Sequence, residues 1–124
     1  MNKLRESIDV LFLEHLLEMA NVPTKYTGLQ PTLMVSSKYA HDGKESKHGP
    51  RIKVSNIHGK YSPEDNFSLT VEDEPRVIGR CKLKSEHLED AKDWIRLNKE
   101  HLHKVWHTGH DMDPQELIDG FKKI

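Results

Sequence analysis

The chain has 124 residues and a single cysteine, Cys81, which excludes an intramolecular disulfide and any zinc cluster built on several thiolates. No apolar stretch approaches the ~18 residues that a membrane-spanning helix requires. The longest, Val10-Leu11-Phe12-Leu13, is broken by Glu14 and preceded by Asp9, which argues against a secretory leader as well. A phosphate-binding P-loop, a G-x-G-x-x-G turn and a defensible Ser-His-Asp spacing are all missing, so nucleotide-cofactor and triad chemistry have no support and no cofactor is expected. Charge of one sign is missing too: 19 Lys+Arg stand against 20 Asp+Glu, a formal balance of −1. What remains, 35% apolar and 31% charged residues, suffices for one modest core and is too apolar for general disorder. The expectation is a soluble, cytoplasmic, single-domain protein spanning residues 1–124.

The near-zero balance hides blocks. Residues 38–60 carry six basic side chains, Lys38, Lys44, Lys47, Arg51, Lys53 and Lys60, against two acids, and His41, His48 and His58 fall in the same stretch. Residues 61–75 then hold five acids and no base, and residues 76–84 four bases and no acid. Such alternation fits cross-strand neutralisation within one sheet. It also fits a basic surface that faces an anionic partner.

The spacing of Leu4, Ile8, Leu11, Phe12, Leu16 and Met19 predicts a helix over 2–20, stopped by Asn21-Val22-Pro23. Val10, Leu13 and Leu17 widen its apolar stripe beyond one face. A helix greasy around most of its girth needs burial on two sides, which marks it as a contact for a partner or for a second copy in a homodimer. Residues 22–30 carry no helix or strand signal.

Four strands are expected next: Thr32–Ser37, Arg51–Asn56, Phe67–Val71 and Arg76–Lys82. In the second, Ile52 and Val54 alternate with Arg51, Lys53 and Ser55. In the third, Phe67, Leu69 and Val71 alternate with Ser68 and Thr70. This period of two predicts an antiparallel sheet covered on one face only. Lys38–Pro50 reads as a 13-residue polar loop. From Ser85, a plausible N-cap, Leu88, Ala91, Trp94, Ile95, Leu102, Val105 and Trp106 share one helical face, and Thr108-Gly109 ends the run. Asp113-Pro114-Gln115-Glu116 starts a short final helix. The fold class is therefore α+β: an N-terminal helix at 1–21, then a 32–124 core in which a four-stranded antiparallel sheet has one face covered by a long helix, with a short C-terminal helix.

Three constellations carry candidate chemistry. His103 and His107, with Glu100 on the same helix and His110 just beyond its end, have ligand spacing for a metal, although that face points away from the core and lacks the H-E-x-x-H order of metalloproteases. Asn98 sits in the middle of the apolar stripe, where a buried amide must find partners; it would tie the helix to a neighbouring strand or loop, or help hold the 38–50 loop or a ligand. The most concentrated signal is His48-Gly49-Pro50-Arg51-Ile52-Lys53-Val54. Arg51 and Lys53 project from the uncovered sheet face, where they would contact phosphates while Tyr39 or Tyr61 stacks on bases, or would pair with Glu72 and Asp73 from an adjacent strand. His48 with Arg51 and Lys53 also supplies an acid–base group and phosphate clamps of the kind small ribonucleases use.

The motifs His48-x-x-Arg51-Ile52-Lys53-Val54, Glu74-Pro75-Arg76-Val77-Ile78-Gly79, Trp94-Ile95-x-x-Asn98 and Leu102-x-x-x-Trp106 are similar to those of small uncharacterised proteins of bacteria, their phages and their plasmids. More distantly they resemble a domain of unknown function found beside toxin–antitoxin genes, which begins its strand with Pro-x-His-x-His and carries a late tryptophan in its helix. The resemblance covers residues 32–124 and implies a shared fold and a mobile-element context. Here a single His48 stands where that domain has a pair, so no catalysis is carried over.

The leading expectation is a small non-enzymatic binding protein, using Lys38, His41, His48, Arg51, Lys53 and Lys60 to contact nucleic acid or an acidic protein surface, and acting on a host complex if phage-borne. The alternatives are a ribonuclease-type toxin acting through His48, Arg51 and Lys53, and a metal-binding protein acting through His103, His107 and His110.

Overall fold

The computed structural model describes residues 19–22, 24–39 and 47–124. The helix expected at 2–20, with its dimer contact, lies outside them except for its last two positions, and so does His41. Those last two positions are not helical. Met19–Val22 forms strand β1, which pairs antiparallel with β2 (Leu33–Ser36) so that Val22 faces Leu33 across the ladder. A short helix α1 (Thr24–Thr27) follows in a stretch that carried no helical signal. Pairing with a neighbouring strand, not local spacing, decides the structure of so short an edge segment.

The four expected strands are present, and β1 adds a fifth. β3 (Arg51–Ser55), β4 (Asn66–Thr70) and β5 (Val77–Ile78) complete a meander in which each strand pairs with its sequence neighbour, in the order β1-β2-β3-β4-β5. β5 is shorter than the sequence suggests, and the chain leaves the ladder at Gly79 with φ +100°. Alternation along the strands sorts the side chains. Leu33, Val35, Ile52, Val54, Phe67 and Leu69 are buried on one face; Met34, Arg51, Lys53 and Ser68 are half-buried on the other. The register sets Met34, Lys53, Ser68 and Ile78 in one row across the open face.

The covering helix runs as two segments, α2 (Ser85–Leu97) and α3 (Lys99–Thr108), separated by Asn98. α2 begins at Ser85 without a side-chain cap. Ala91, Trp94 and Ile95 of α2 and Leu102 and Val105 of α3 join the sheet's apolar face in one hydrophobic cluster. Trp106 is 5% exposed, and its carbonyl accepts the Lys38 N–H at 2.8 Å, which pins the end of β2 to α3. A 3₁₀ turn at Gly109–Asp111 leads to α4 (Pro114–Asp119), where Asp113 caps the helix by accepting from the Gln115 N–H at 2.8 Å.

The Asn98 side chain holds the segment after α4. Its Nδ2 donates to the Trp94 and Lys122 carbonyls, each at 3.0 Å, and its Oδ1 accepts the Lys122 N–H at 2.6 Å. The two bonds to Lys122 grip both polar groups of one residue 24 positions away. Beside this clasp, His101 Nε2 donates to the Leu117 carbonyl at 2.7 Å, and Phe121 packs against both Trp94 and His101. A Cβ at Gly120 would collide with the His101 imidazole, so glycine is what lets the chain pass. Replacing Asn98 by Ala removes the clasp and leaves the Lys122 N–H and carbonyl without these partners, while the Trp94 carbonyl keeps the N–H of residue 98. We expect a loss of about 2 kcal/mol of stability with an unchanged m-value in urea unfolding; a loss under about 0.5 kcal/mol would show that the clasp contributes little.

Candidate functional site

β3 positions the two central cations. Pro50 enters the strand, and its carbonyl accepts the Val71 N–H at 3.1 Å, which fixes the register of β3 on β4 at this end. Ile52 and Val54 must face the core, and parity then sends Arg51 and Lys53 to the open face. Lys53 lies between Met34 and Ser68, and Arg51 opposite Thr70. Arg51 also lines a small cleft of about 160 Å³ with Gly49, Pro50, Glu72 and Arg76.

The acids that would have neutralised this face are engaged elsewhere. Glu72 binds Arg76 Nε at 3.0 Å, Asp73 binds Lys99 Nζ at 2.6 Å, and Glu74 stands 3.7 Å from the Arg96 guanidinium. Arg51 and Lys53 therefore do not pair with Glu72 and Asp73, and among the described residues neither makes an ion pair. The turn at 71–76 is instead neutralised by bases of its own segment and of the covering helix.

The remaining members of the expected contact set separate. Lys38 lies at the Arg51 end of the sheet, its ammonium 5.4 Å from the Tyr39 ring. His48 is at that end too: its Nδ1 donates to the Gly49 carbonyl at 2.8 Å and its ring packs 5.5 Å from Trp106. Lys60 does not belong with them. The chain leaves β3 at Ser55 and enters the connection to β4, which carries Lys60 beyond the opposite end of the sheet. As a catalytic group His48 would have to leave a packed and hydrogen-bonded position. The histidines at the C-terminal end do not converge: His110 turns its Nε2 toward Asp111 at 3.3 Å and its ring edge-on to Tyr39 at 4.7 Å. Among the described residues no group of three or more His, Cys, Asp or Glu side chains could hold a metal ion. Cys81 is half-buried against the core, beyond the end of β5. No helix among the described residues is long and apolar enough to cross a membrane.

The opposite end of the sheet holds features that local spacing could not reveal. Ser55 is fully buried, and its Oγ donates to the Lys60 carbonyl at 2.6 Å while accepting the Ile57 and Ser62 N–H groups at 3.1 and 3.2 Å. Asn56 reaches across to the segment after β5, donating to the Arg80 carbonyl at 2.9 Å and accepting the Lys82 N–H at 2.8 Å. These bonds shape two adjoining clefts of about 710 and 280 Å³ that share Gln30 and His58. The larger also takes in Lys60 and Tyr61, the smaller Lys82, Lys84 and His87. The acid-free block at 76–84 and the basic end of the 38–60 block, with His58 and Lys60, were the sequence signals for this end, and nothing in the sequence linked either to Asn56.

No family model matches the chain, and neither a curated protein nor a solved structure shows significant similarity to it.

Three carboxyls are held below their ordinary values: Asp65 by hydrogen bonds from Lys82 and Asn56, Glu72 by the Thr70 hydroxyl and Arg76, and Asp73 by Lys99. A carboxyl with a depressed folded value stabilises the fold above its unfolded value and loses that contribution as pH falls through the folded one. The contribution of these three carboxyls to the urea midpoint should accordingly be constant from neutral pH down to about 5 and decline below about 4, the region where free carboxylates titrate. Asp65→Asn with Asp73→Asn should shrink that decline. A double variant with an undiminished acid loss would assign it to other carboxyls.

Proposed function

We propose that the chain is a non-enzymatic binding protein whose open sheet face receives the phosphate backbone of a nucleic acid, with Arg51 and Lys53 as the principal contacts. The observation that carries this is the charge of that face. It presents two cations, neither in an ion pair among the described residues, and Glu72, the acid beside the Arg51 end, is already engaged by Arg76 and the Thr70 hydroxyl. Two residues apart on one strand, the side chains leave the backbone ~6.7 Å from each other, a separation comparable with that of successive phosphates along a single strand. Ser36 and Ser68, half-buried on the same face, add small hydroxyl donors without bulk. Lys38 and Tyr39 extend the basic side toward the Arg51 end. Contacts of this kind give affinity without strong sequence preference.

The same charge would also meet an acidic protein surface, and one experiment separates the two. A labelled single-stranded oligonucleotide is titrated at several salt concentrations against the wild type and against Arg51→Ala/Lys53→Ala. Loss of two phosphate contacts should lower the slope of log K against log salt by about 1.4, with stability lowered by no more than about 1 kcal/mol because both side chains are only half-buried and neither is ion-paired among the described residues. An unaltered slope rejects the proposal. Absence of oligonucleotide binding, with capture of an acidic peptide that the double variant loses, transfers the face to a protein partner.

A further inference from the structure

The geometry points to a second binding site, at the end of the sheet away from Arg51, that takes a small phosphorylated molecule. The two adjoining clefts there have no Asp or Glu among their lining residues, yet His58, Lys60, Lys82, Lys84 and His87 all line them. Of these, Lys82 is neutralised by Asp65 at 2.8 Å, and His87 has Glu86 3.7 Å from its Nε2. Lys60, Lys84 and His58 have no side-chain partner among the described residues. A concave surface that concentrates unspent nitrogen donors and excludes carboxylates is built for an anion. Phosphate suits it better than a lone carboxylate, because three donor side chains from two segments, His58 and Lys60 after β3 and Lys84 before α2, can each find an oxygen.

The larger cleft supplies room for the body of the ligand. Leu29 and Tyr61 give it an apolar floor and a ring. Burial pushes the Tyr61 phenol above its ordinary value, so at neutral pH it is an uncharged O–H donor and adds no negative charge. The volume of about 710 Å³ falls in the range of small-molecule sites. The ligand class is therefore a small organic phosphate, its charged end toward His58, Lys60 and Lys84 and its body against Leu29 and Tyr61. This site shares no lining residue with the Arg51 cleft, so it stands or falls independently of the sheet face.

Adenosine 5′-monophosphate is the probe, with adenosine as its uncharged counterpart, followed by amide chemical shifts of the whole chain. Saturable shifts at Gly59, Tyr61 and Lys84 are expected, with adenosine binding at least tenfold more weakly. Lys60→Ala and Lys84→Ala should each weaken the probe about tenfold, the equivalent of one charge-assisted hydrogen bond. Both side chains are exposed and unpaired, so the variants should keep the wild-type amide spectrum elsewhere. Arg51→Ala/Lys53→Ala should bind the probe as the wild type does. Equal affinity for adenosine, shifts confined to β3, or shifts that fail to saturate would each overturn the inference.

Discussion

The structure depends on a parity constraint in β3. Ile52 and Val54 are almost completely buried, in the same hydrophobic cluster as Trp94, Ile95 and Val105, and they contribute most of what fixes this central strand. A shift of one residue would drive Arg51 and Lys53 into an apolar cluster with no acid to meet them, at a cost no compact fold of this size could absorb. Burial on one side therefore dictates the charge on the other. The basic character of the open face is a consequence of core packing, not an independent decoration of the surface.

The same economy governs the acids. Five carboxylates lie between residues 61 and 75, close in sequence to the basic block, and cross-strand neutralisation was the simplest expectation. The turn geometry sends them elsewhere. Glu72 finds Arg76 within its own turn, and Asp73 finds Lys99 at the start of α3. Arg96 adds a hydrogen bond from its Nε to the Asp73 carbonyl, at 2.8 Å. The turn after β4 is thus fastened to the junction of α2 and α3, and β3 keeps its cations. These exposed pairs contribute little individually; their main effect is on where negative charge is absent.

Much of this was legible in the residues, and for a physical reason. β3 and β4 alternate cleanly because one of their faces is wet, and α2 and α3 show a helical stripe because they cover the other. β1 was not legible: four residues at a sheet edge acquire their structure from Leu33–Ser36, and the helical spacing before them extended into it. Asn98 was visible as an amide in an apolar stripe, but its partner, Lys122, lies 24 residues on and has no local mark. Lys60 was grouped with Arg51 by proximity in sequence, although β3 carries the chain the length of the sheet between them. The clefts at the far end depend on bonds spanning 24 and 26 residues, beyond the reach of any periodicity.

Asn56 gives that far end a property of its own. Its backbone N–H donates to the Asp65 carbonyl and its amide to the Asp65 carboxylate, while the same side chain ties down Arg80 and Lys82. Two loops that would otherwise wander separately are joined through one side chain into a single rim. A receptor of this kind is preorganised: its conformational entropy is surrendered when the chain folds, so a guest entering the clefts has little ordering left to impose.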